Sequence, residues 1–211
     1  MSPLRNDEKR SLLHIARQAI ESALTHGAAP EIATPAGNLA AASGAFVTLH
    51  RRGRLRGCIG RVAPVEPLAS VVAECAVAAA TGDSRFPRLE AADLQDLQIE
   101  LSVLSCPRRA TPEEVQPGIH GLIISQRDGA RGERRGVLLP QVAIEHRWLR
   151  ERFLEETCQK AGLAPDAWRS PDTCIEVFTA EVFSEASCAA ASDDSSAAGA
   201  DAYSSSQKSP A

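Results

Sequence analysis

The sequence predicts an α+β fold built on a largely antiparallel sheet. Strand patterns occur in hairpins that are each followed by a helix pattern, rather than in strict β-α-β alternation. This grouping occurs twice, before helices that begin near Pro67 and Pro140. Hairpins join antiparallel strands, whereas parallel strands need long crossover connections. The repeated grouping also indicates a body in two parts.

The first elements are a helix and a hairpin. Asn6 or Asp7 is expected to cap an amphipathic helix that ends at Gly27, because its apolar residues recur at helical spacing. A loop containing two prolines and two glycines follows over 28–44. The strand patterns 45–51 and 54–60 then flank Arg52-Gly53, which predicts a hairpin with a two-residue turn.

The remaining elements are assigned from the same signals. Proline in a first turn and a closing glycine predict helices, and alternation of apolar with polar residues predicts a half-buried strand. These signals predict a helix over 67–82, a strand over 98–105 and a second hairpin with a charged loop over 121–139. They also predict one long helix over 140–162 and one last strand over 174–183.

Composition bounds the domain and the class of protein. The chain has 211 residues and a formal net charge of -4, with the charged fraction of an ordinary globular protein. Residues 5–184 are predicted to form the folded domain. Residues 185–211 are rich in Ser and Ala and poor in large apolar residues, so we expect a disordered tail.

Location is predicted from what the sequence lacks. No apolar run is long enough to span a bilayer, and the charged N-terminus is not followed by the apolar stretch of a secretory signal. The six cysteines form no CxxC pair. We therefore expect a cytoplasmic protein with reduced thiols and no membrane association.

The densest chemical feature is the segment 51–61, in which Cys58 follows Gly57 and five arginines surround it. Guanidinium groups near a thiol favour the thiolate, which a nucleophile, a redox thiol or a metal-binding thiol requires. The alternative is structural, because free cysteine packs well as a small buried hydrophobe. The sequence leaves both interpretations open.

A base for this thiol is not evident in the hairpin. A two-residue turn without irregularity pairs Cys58 with Val47 and puts His50 on the opposite face of the sheet. A bulge or a longer turn would restore a common face. The regular register therefore disfavours a His50–Cys58 dyad.

Three further segments carry candidate groups. In 83–87, Asp83 and Arg85 either lock a turn or present Arg85 to a carboxylate or phosphate. Glu100 lies on the polar face of a strand, either solvated or facing a cleft. His120 lies between glycines where a strand begins, as a turn residue or as a base. No phosphate loop, dinucleotide fingerprint, HExxH or nucleophile elbow occurs, so we predict no cofactor and no metal site.

The chain resembles the AMMECR domain family, called AmmeMemoRadiSam system protein A in bacteria. Leu55-Arg56-Gly57-Cys58-Ile59-Gly60 is similar to the family's hallmark hexapeptide, and the resemblance spans about residues 8–184. The other family segments follow in order: Asp83-Ser84-Arg85-Phe86-Pro87, Glu100-Leu101-Ser102-Val103-Leu104, His120-Gly121-Leu122, Leu138-Leu139-Pro140-Gln141 and Lys160-Ala161-Gly162-Leu163.

The resemblance implies a fold in two parts that share one curved sheet, with the hexapeptide near their junction. It also implies work with Memo-like and radical SAM proteins, but no settled reaction. On this basis we assign catalytic roles to Cys58, Glu100 and His120. Binding of an anionic small-molecule substrate is assigned to Arg56, Gly57, Gly60, Asp83 and Arg85.

Three functions remain open at this level. The first is an enzyme, or a component of one, in which Cys58 reacts. The second is a non-catalytic adaptor for the same proteins, in which the hexapeptide serves packing. The third, nucleic-acid binding through the arginines of 51–61 and 127–135, ranks last because few aromatic residues accompany them and the chain is acidic.

Overall fold

In the part of the chain that the structure describes, eight antiparallel strands form two sheets of four. The computed structural model describes residues 3–27, 35–62, 64–127 and 132–188. The strands are β1 Ala45–Arg51, β2 Arg54–Arg61, β3 Leu97–Leu104, β4 Arg108–Arg109, β5 Gly121–Arg127, β6 Glu133–Leu138, β7 Thr173–Phe178 and β8 Ala180–Ser184. The first sheet has the order β2-β1-β3-β8, and the second has the order β4-β7-β5-β6. The predicted α+β class with antiparallel strands is confirmed.

Two bent segments of chain run through both sheets. β3 leads into β4 and β7 leads into β8, so that β3 pairs with β8 in the first sheet and β4 with β7 in the second. At the bend, the Ser105 N–H donates to the Thr179 carbonyl at 2.9 Å and the Thr179 N–H donates to Ser105 Oγ at 2.9 Å. The last strand predicted over 174–183 is therefore interrupted at Thr179, where the chain passes from one sheet to the other.

Helices cover one face of each sheet. The long helices are α1 Asn6–Thr25, α2 Leu68–Thr81 and α4 Arg150–Lys160, and α3 Pro140–Glu145 is short. α1 and α2 pack on the first sheet around Val47, Leu49, Ile99 and Leu101. α4 packs on the second sheet around Leu122, Ile124, Ile175 and Val177.

The opposite faces of the two sheets meet at the bend. There Leu104, Ile123 and Phe178 are buried, and Phe46 packs against them. We call this group the junction cluster, and we call the face of both sheets that carries it the inner face. Residues alternate between faces along a strand, so the polar residues two positions from this cluster also lie on the inner face.

Helix α1 begins one residue earlier than the sequence indicates. Its N-cap is Arg5, so the expectation of Asn6 or Asp7 is wrong. The cause is Glu8, whose carboxylate accepts the Arg5 N–H at 2.9 Å and an amide hydrogen of Asn38 at 3.1 Å. Glu8 is buried. Its two hydrogen bonds connect Asn38, in the segment after α1, to the first turn of this helix.

The long helix predicted over 140–162 is two helices. Between α3 and α4, Arg147 takes a left-handed backbone conformation with φ of 55°, which no α-helix contains. The Trp148 N–H returns to the Ala143 carbonyl at 2.8 Å, and the His146 and Trp148 rings stack at 4.5 Å. The break turns α4 onto the second sheet.

The chain stays ordered beyond the predicted domain boundary at 184. Residues 185–188 form a helical turn. The Glu185 carboxylate accepts hydrogen bonds from Arg17 at 2.7 Å and from the Ile99 N–H at 3.0 Å, which extends the cover of β3 past the end of β8. The remainder of the predicted tail, 189–211, lies outside the described residues, so its disorder stays a prediction.

No helix in the part of the chain that the structure describes is long and apolar enough to cross a membrane.

The hydrogen bonds of Glu185 predict a difference in the free energy of unfolding between two truncated chains. A chain ending at Ser184 should be about 1–3 kcal/mol less stable than one ending at Cys188, because Arg17 and the Ile99 N–H lose their acceptor. Chemical unfolding of the two truncated chains measures the difference. Equal free energies of unfolding would show that the domain ends at 184.

Candidate functional site

The β1–β2 hairpin contains a bulge that decides what Cys58 faces. The two-residue turn at Arg52-Gly53 is confirmed, with both residues at positive φ. The register then shifts, because β2 carries one extra residue, Arg56, and Thr48 pairs with Cys58. The expected pairing of Cys58 with Val47 is therefore wrong, and His50 shares the face of Cys58.

This register aligns three polar side chains across neighbouring strands. Thr48 on β1 pairs with Cys58 on β2 and with Glu100 on β3. The distance from Cys58 Sγ to Thr48 Oγ1 is 3.3 Å. All three side chains lie half-buried on the inner face, opposite α1 and α2. We call Cys58, Thr48 and Glu100 the thiol row.

The backbone of Cys58 is held by two side chains from the segment after α2. β2 is an edge strand, and the outward N–H of Cys58 donates to Asp83 Oδ2 at 2.9 Å. Arg85 Nη2 donates to the Cys58 carbonyl at 3.0 Å. A guanidinium hydrogen of Arg56 also reaches the Pro87 carbonyl at 2.6 Å. Side chains thus take the place of a neighbouring strand at this edge.

Asp83 and Arg85 form a bidentate ion pair. Arg85 Nε and Nη2 donate to the two carboxylate oxygens of Asp83 at 2.9 and 2.6 Å. The Asp83 side chain is only 4% exposed, whereas that of Arg85 is 57% exposed. The hydrogen bonds from Arg85, followed by that from the Cys58 N–H, hold the pKa of Asp83 well below its usual range, although burial opposes the shift.

Packing accounts for both glycines of the hexapeptide. A Cβ on Gly57 would lie 2.2 Å from the Ala79 carbonyl oxygen of α2. A Cβ on Gly60 would lie 2.2 Å from the Phe46 ring of the junction cluster. Gly57 lets α2 approach β2, and Gly60 brings the end of the hexapeptide to the junction of the two sheets. Ligand binding by either glycine stays a prediction.

Arginines of the hairpin form ion pairs with neighbouring carboxylates. Arg51 bonds to Asp93, and Arg61 bonds to Glu66 and Glu74. Among the described residues, no guanidinium of segment 51–61 hydrogen-bonds to the thiol. The charge nearest to Cys58 is the Asp83–Arg85 pair, which bonds to its backbone. The pKa of Arg85 is raised chiefly by Asp83 and in smaller part by the Cys58 side chain. These pairings also leave fewer free cations for a nucleic acid than the sequence suggests.

His120 lies apart from the thiol row. It is in the turn before β5, where its Nδ1 accepts the Gln116 N–H at 3.3 Å. None of its hydrogen bonds within the described chain reaches Cys58, Arg85 or Glu100. The structure therefore groups most of the predicted site residues and separates His120 from them. The grouped residues are Arg56, Gly57, Cys58, Gly60, Asp83 and Arg85. Glu100 lies two strands away from Cys58 in the same sheet.

Sequence reasoning missed Thr48. A threonine in a strand has no distinctive pattern, and only the bulged register identifies it as the neighbour of Cys58. Within the described residues, no group of three or more His, Cys, Asp or Glu side chains is arranged to hold a metal ion.

Replacing Asp83 should weaken the fold in a pH-dependent way. At neutral pH, Asp83→Asn should lower the free energy of unfolding by about 1–3 kcal/mol, because Arg85 and the Cys58 N–H lose a charged acceptor. The pKa of Asp83 is lower in the folded chain, so the carboxylate's contribution is complete above its ordinary pKa of about 4 and falls below it. Urea unfolding at several pH values measures this.

Asp166→Asn is the matched control, since Asp166 is exposed. A constant difference between Asp83→Asn and the wild type from pH 7 down to pH 3 would contradict the role given to the carboxylate.

Gly57→Ala should be far more damaging than Gly82→Ala. The new methyl group at 57 meets backbone of α2 that cannot yield, and overpacking typically costs about 1–3 kcal/mol or more. At 82 the nearest atom is the Ala78 carbonyl oxygen, 3.3 Å from the built Cβ. Thermal unfolding of both variants tests this, and similar melting temperatures would refute the packing role of Gly57.

Comparisons with known proteins agree with the fold and show the family. The family model described as AMMECR1 matches residues 13–183. A Methanothermobacter thermautotrophicus protein is 42% identical over 192 residues, which cover 87% of this chain and 97% of that protein. A Methanopyrus kandleri protein is 41% identical, with 85% of this chain and 89% of that protein covered. The crystal structure of an uncharacterized Pyrococcus horikoshii protein is similar at a TM-score of 0.73 and 39% identity, covering 83% of this chain and 90% of that one. The chain belongs to the AMMECR1 family, as its hexapeptide and the order of its motifs predict.

Proposed function

We propose that this chain is an enzyme, or a component of one, in which the Cys58 thiol is the reactive group. The observation that carries the proposal is the thiol row. A thiol, a hydroxyl and a carboxylate follow one another on adjacent strands, with Sγ at 3.3 Å from Thr48 Oγ1 and Glu100 directly opposite Thr48. Opposed residues of neighbouring strands have Cβ atoms about 4.5–5.5 Å apart, within reach of a Glu side chain.

We assign the row as the route for the proton of the thiol. The Thr48 hydroxyl lies 3.3 Å from Sγ, and the step brings the Glu100 carboxylate, opposite Thr48 on β3, onto that hydroxyl. Cys58 gives its proton to Thr48 Oγ1 while the Thr48 hydroxyl proton passes to the Glu100 carboxylate. The step leaves a thiolate, an intact threonine and a neutral glutamic acid. The thiolate then attacks an electrophilic centre of the substrate, and Glu100 is placed to return the proton.

The surroundings of Cys58 suit a fixed nucleophile. Asp83 and Arg85 hold its backbone on both sides, so the sulfur has a defined position on the strand. The thiol is half-buried rather than enclosed. Arg85 is largely exposed beside it, and within the described chain its Nη1 makes no hydrogen bond. We assign this nitrogen and half-buried Arg56 to an anionic group of a small-molecule substrate.

The partners implied by the family resemblance belong to the same proposal. Memo-like and radical SAM proteins would supply or consume the molecule on which Cys58 acts. A cytoplasmic location, which keeps thiols reduced, is also part of the proposal.

A second candidate function is a non-catalytic partner of the same proteins. The second part of the molecule exposes large apolar side chains: Ile119 is 56% exposed, Ile144 64% and Leu149 81%. Ile144 lies against Gly118, the residue before Ile119 in the chain. Exposed apolar groups of this kind suit docking to another protein.

The enzyme proposal predicts selective labelling of Cys58. With iodoacetamide at neutral pH, Cys58 should react faster than the exposed Cys106, because Thr48 and Glu100 take up its proton. Thr48→Val should slow Cys58 by about tenfold and leave Cys106 unchanged. Burial raises the pKa of Cys75 to about 11, so Cys75 should stay unlabelled. Mass spectrometry of each cysteine-containing peptide gives the rates.

Slower labelling of Cys58 than of Cys106, without change in Thr48→Val, would reject the nucleophile. If Cys58→Ala then co-purified undiminished with a Memo-like or radical SAM protein, the non-catalytic function would replace it.

A further inference from the structure

We propose that the second sheet carries a separate binding site for a zwitterionic small molecule, a free amino acid or a dipeptide. The site is a cleft of about 360 Å³. Its lining contains two arginines, three carboxylates, a serine and a cysteine: Arg109, Arg127, Glu133, Asp172, Glu176, Ser125 and Cys174. It lies on the other sheet from the thiol row and does not depend on the reactivity of Cys58.

Strand register explains how these residues share one cleft. Ser125 on β5 pairs with Cys174 on β7, and both lie two residues along their strands from the pair Ile123–Glu176. Since Ile123 belongs to the junction cluster, the cleft opens on the inner face of the second sheet. Ser125 is 6% exposed and forms its floor.

Oppositely charged residues that pair across adjacent strands lie at both ends of this floor. Arg109 on β4 pairs with Glu176 on β7 at one end, and Arg127 on β5 pairs with Glu133 on β6 at the other. Asp172 precedes β7 beside this second pair. Each end of the cleft therefore offers a cation and an anion.

Within the ranges that the structure describes, these charged groups do not pair with one another. In the described part of the chain, the guanidinium groups of Arg109 and Arg127 form no ion pair, and neither do the carboxylates of Glu133, Asp172 and Glu176. Elsewhere on the same fold, arginines such as Arg51, Arg61 and Arg85 pair with carboxylates. Around the cleft, the oppositely charged groups line an open volume instead of forming ion pairs with one another.

The mixture of charges selects the class of ligand. A simple anion would meet three carboxylates, and a simple amine would meet two guanidinium groups. A molecule with both charges satisfies both sets: its carboxylate takes the two parallel hydrogen bonds of an arginine fork, and its ammonium lies against the acidic groups. The cleft is at the small end of the usual range for ligand pockets, about 300–1,000 Å³, which suits one or two amino-acid residues.

The test is isothermal titration of the full chain with each common free L-amino acid and with glycylglycine. At least one should bind with a Kd of about a millimolar or tighter. N-acetylation or C-amidation of that ligand, which removes one charge each, should weaken binding by about tenfold or more. Failure of every probe to bind, or equal binding of the blocked forms, would overturn the proposal.

Two variants locate the binding. Arg109→Gln and Glu176→Gln should each weaken binding by about tenfold while melting temperature stays unchanged, since neither side chain forms an ion pair in the described part of the chain. Arg54→Gln, at an exposed arginine on the first sheet, is the matched control and should bind normally. Cys58→Ala should also bind normally, which separates this site from the thiol row. Equal weakening by Arg54→Gln would show that the binding is not at the cleft.

Discussion

The Asp83–Arg85 ion pair covers the outer edge of β2, where no further strand pairs, and the geometry of the candidate site depends on that contact. Asp83 and Arg85 bond to the N–H and the carbonyl of Cys58, where a further strand would otherwise pair. The pair follows directly after α2, and α2 itself reaches β2 only because Gly57 has no side chain. Helix, loop and edge strand therefore fix one another, and together they fix the position of the sulfur.

The bend between the sheets gives the molecule one shared face with two polar regions. Ser105 and Thr179 bond where both long segments cross between sheets, and the junction cluster fills the inner face at that point. On one side of it lies the thiol row, and on the other lies the charged cleft of the second sheet. Because α1, α2 and α4 cover the opposite faces, the thiol row and the charged cleft both lie on the face that these helices leave free.

Sequence patterns located the elements and the site but not the details that three-dimensional contacts decide. Periodicity identified both hairpins, and glycines marked the segment that packs most tightly. The sequence left the bulge at Arg56 open, because the hairpin pattern identifies the turn but not the register beyond it. The break at Arg147 has no local signal, since a left-handed arginine is stabilised by its neighbours alone. Glu185 was assigned to the tail because the composition after it is polar, although its carboxylate binds Arg17.

The most direct test of the account is a double-mutant cycle on the thiol row. Rates of Cys58 alkylation would be compared in the wild type, Thr48→Val, Glu100→Gln and the double variant. If the proton leaves through Thr48 to Glu100, the two groups act as one path, and Glu100→Gln should have no further effect once Thr48 is replaced. Effects of the two substitutions that simply multiply would contradict the relay, and no effect of either would remove the reason to regard Cys58 as the reactive group.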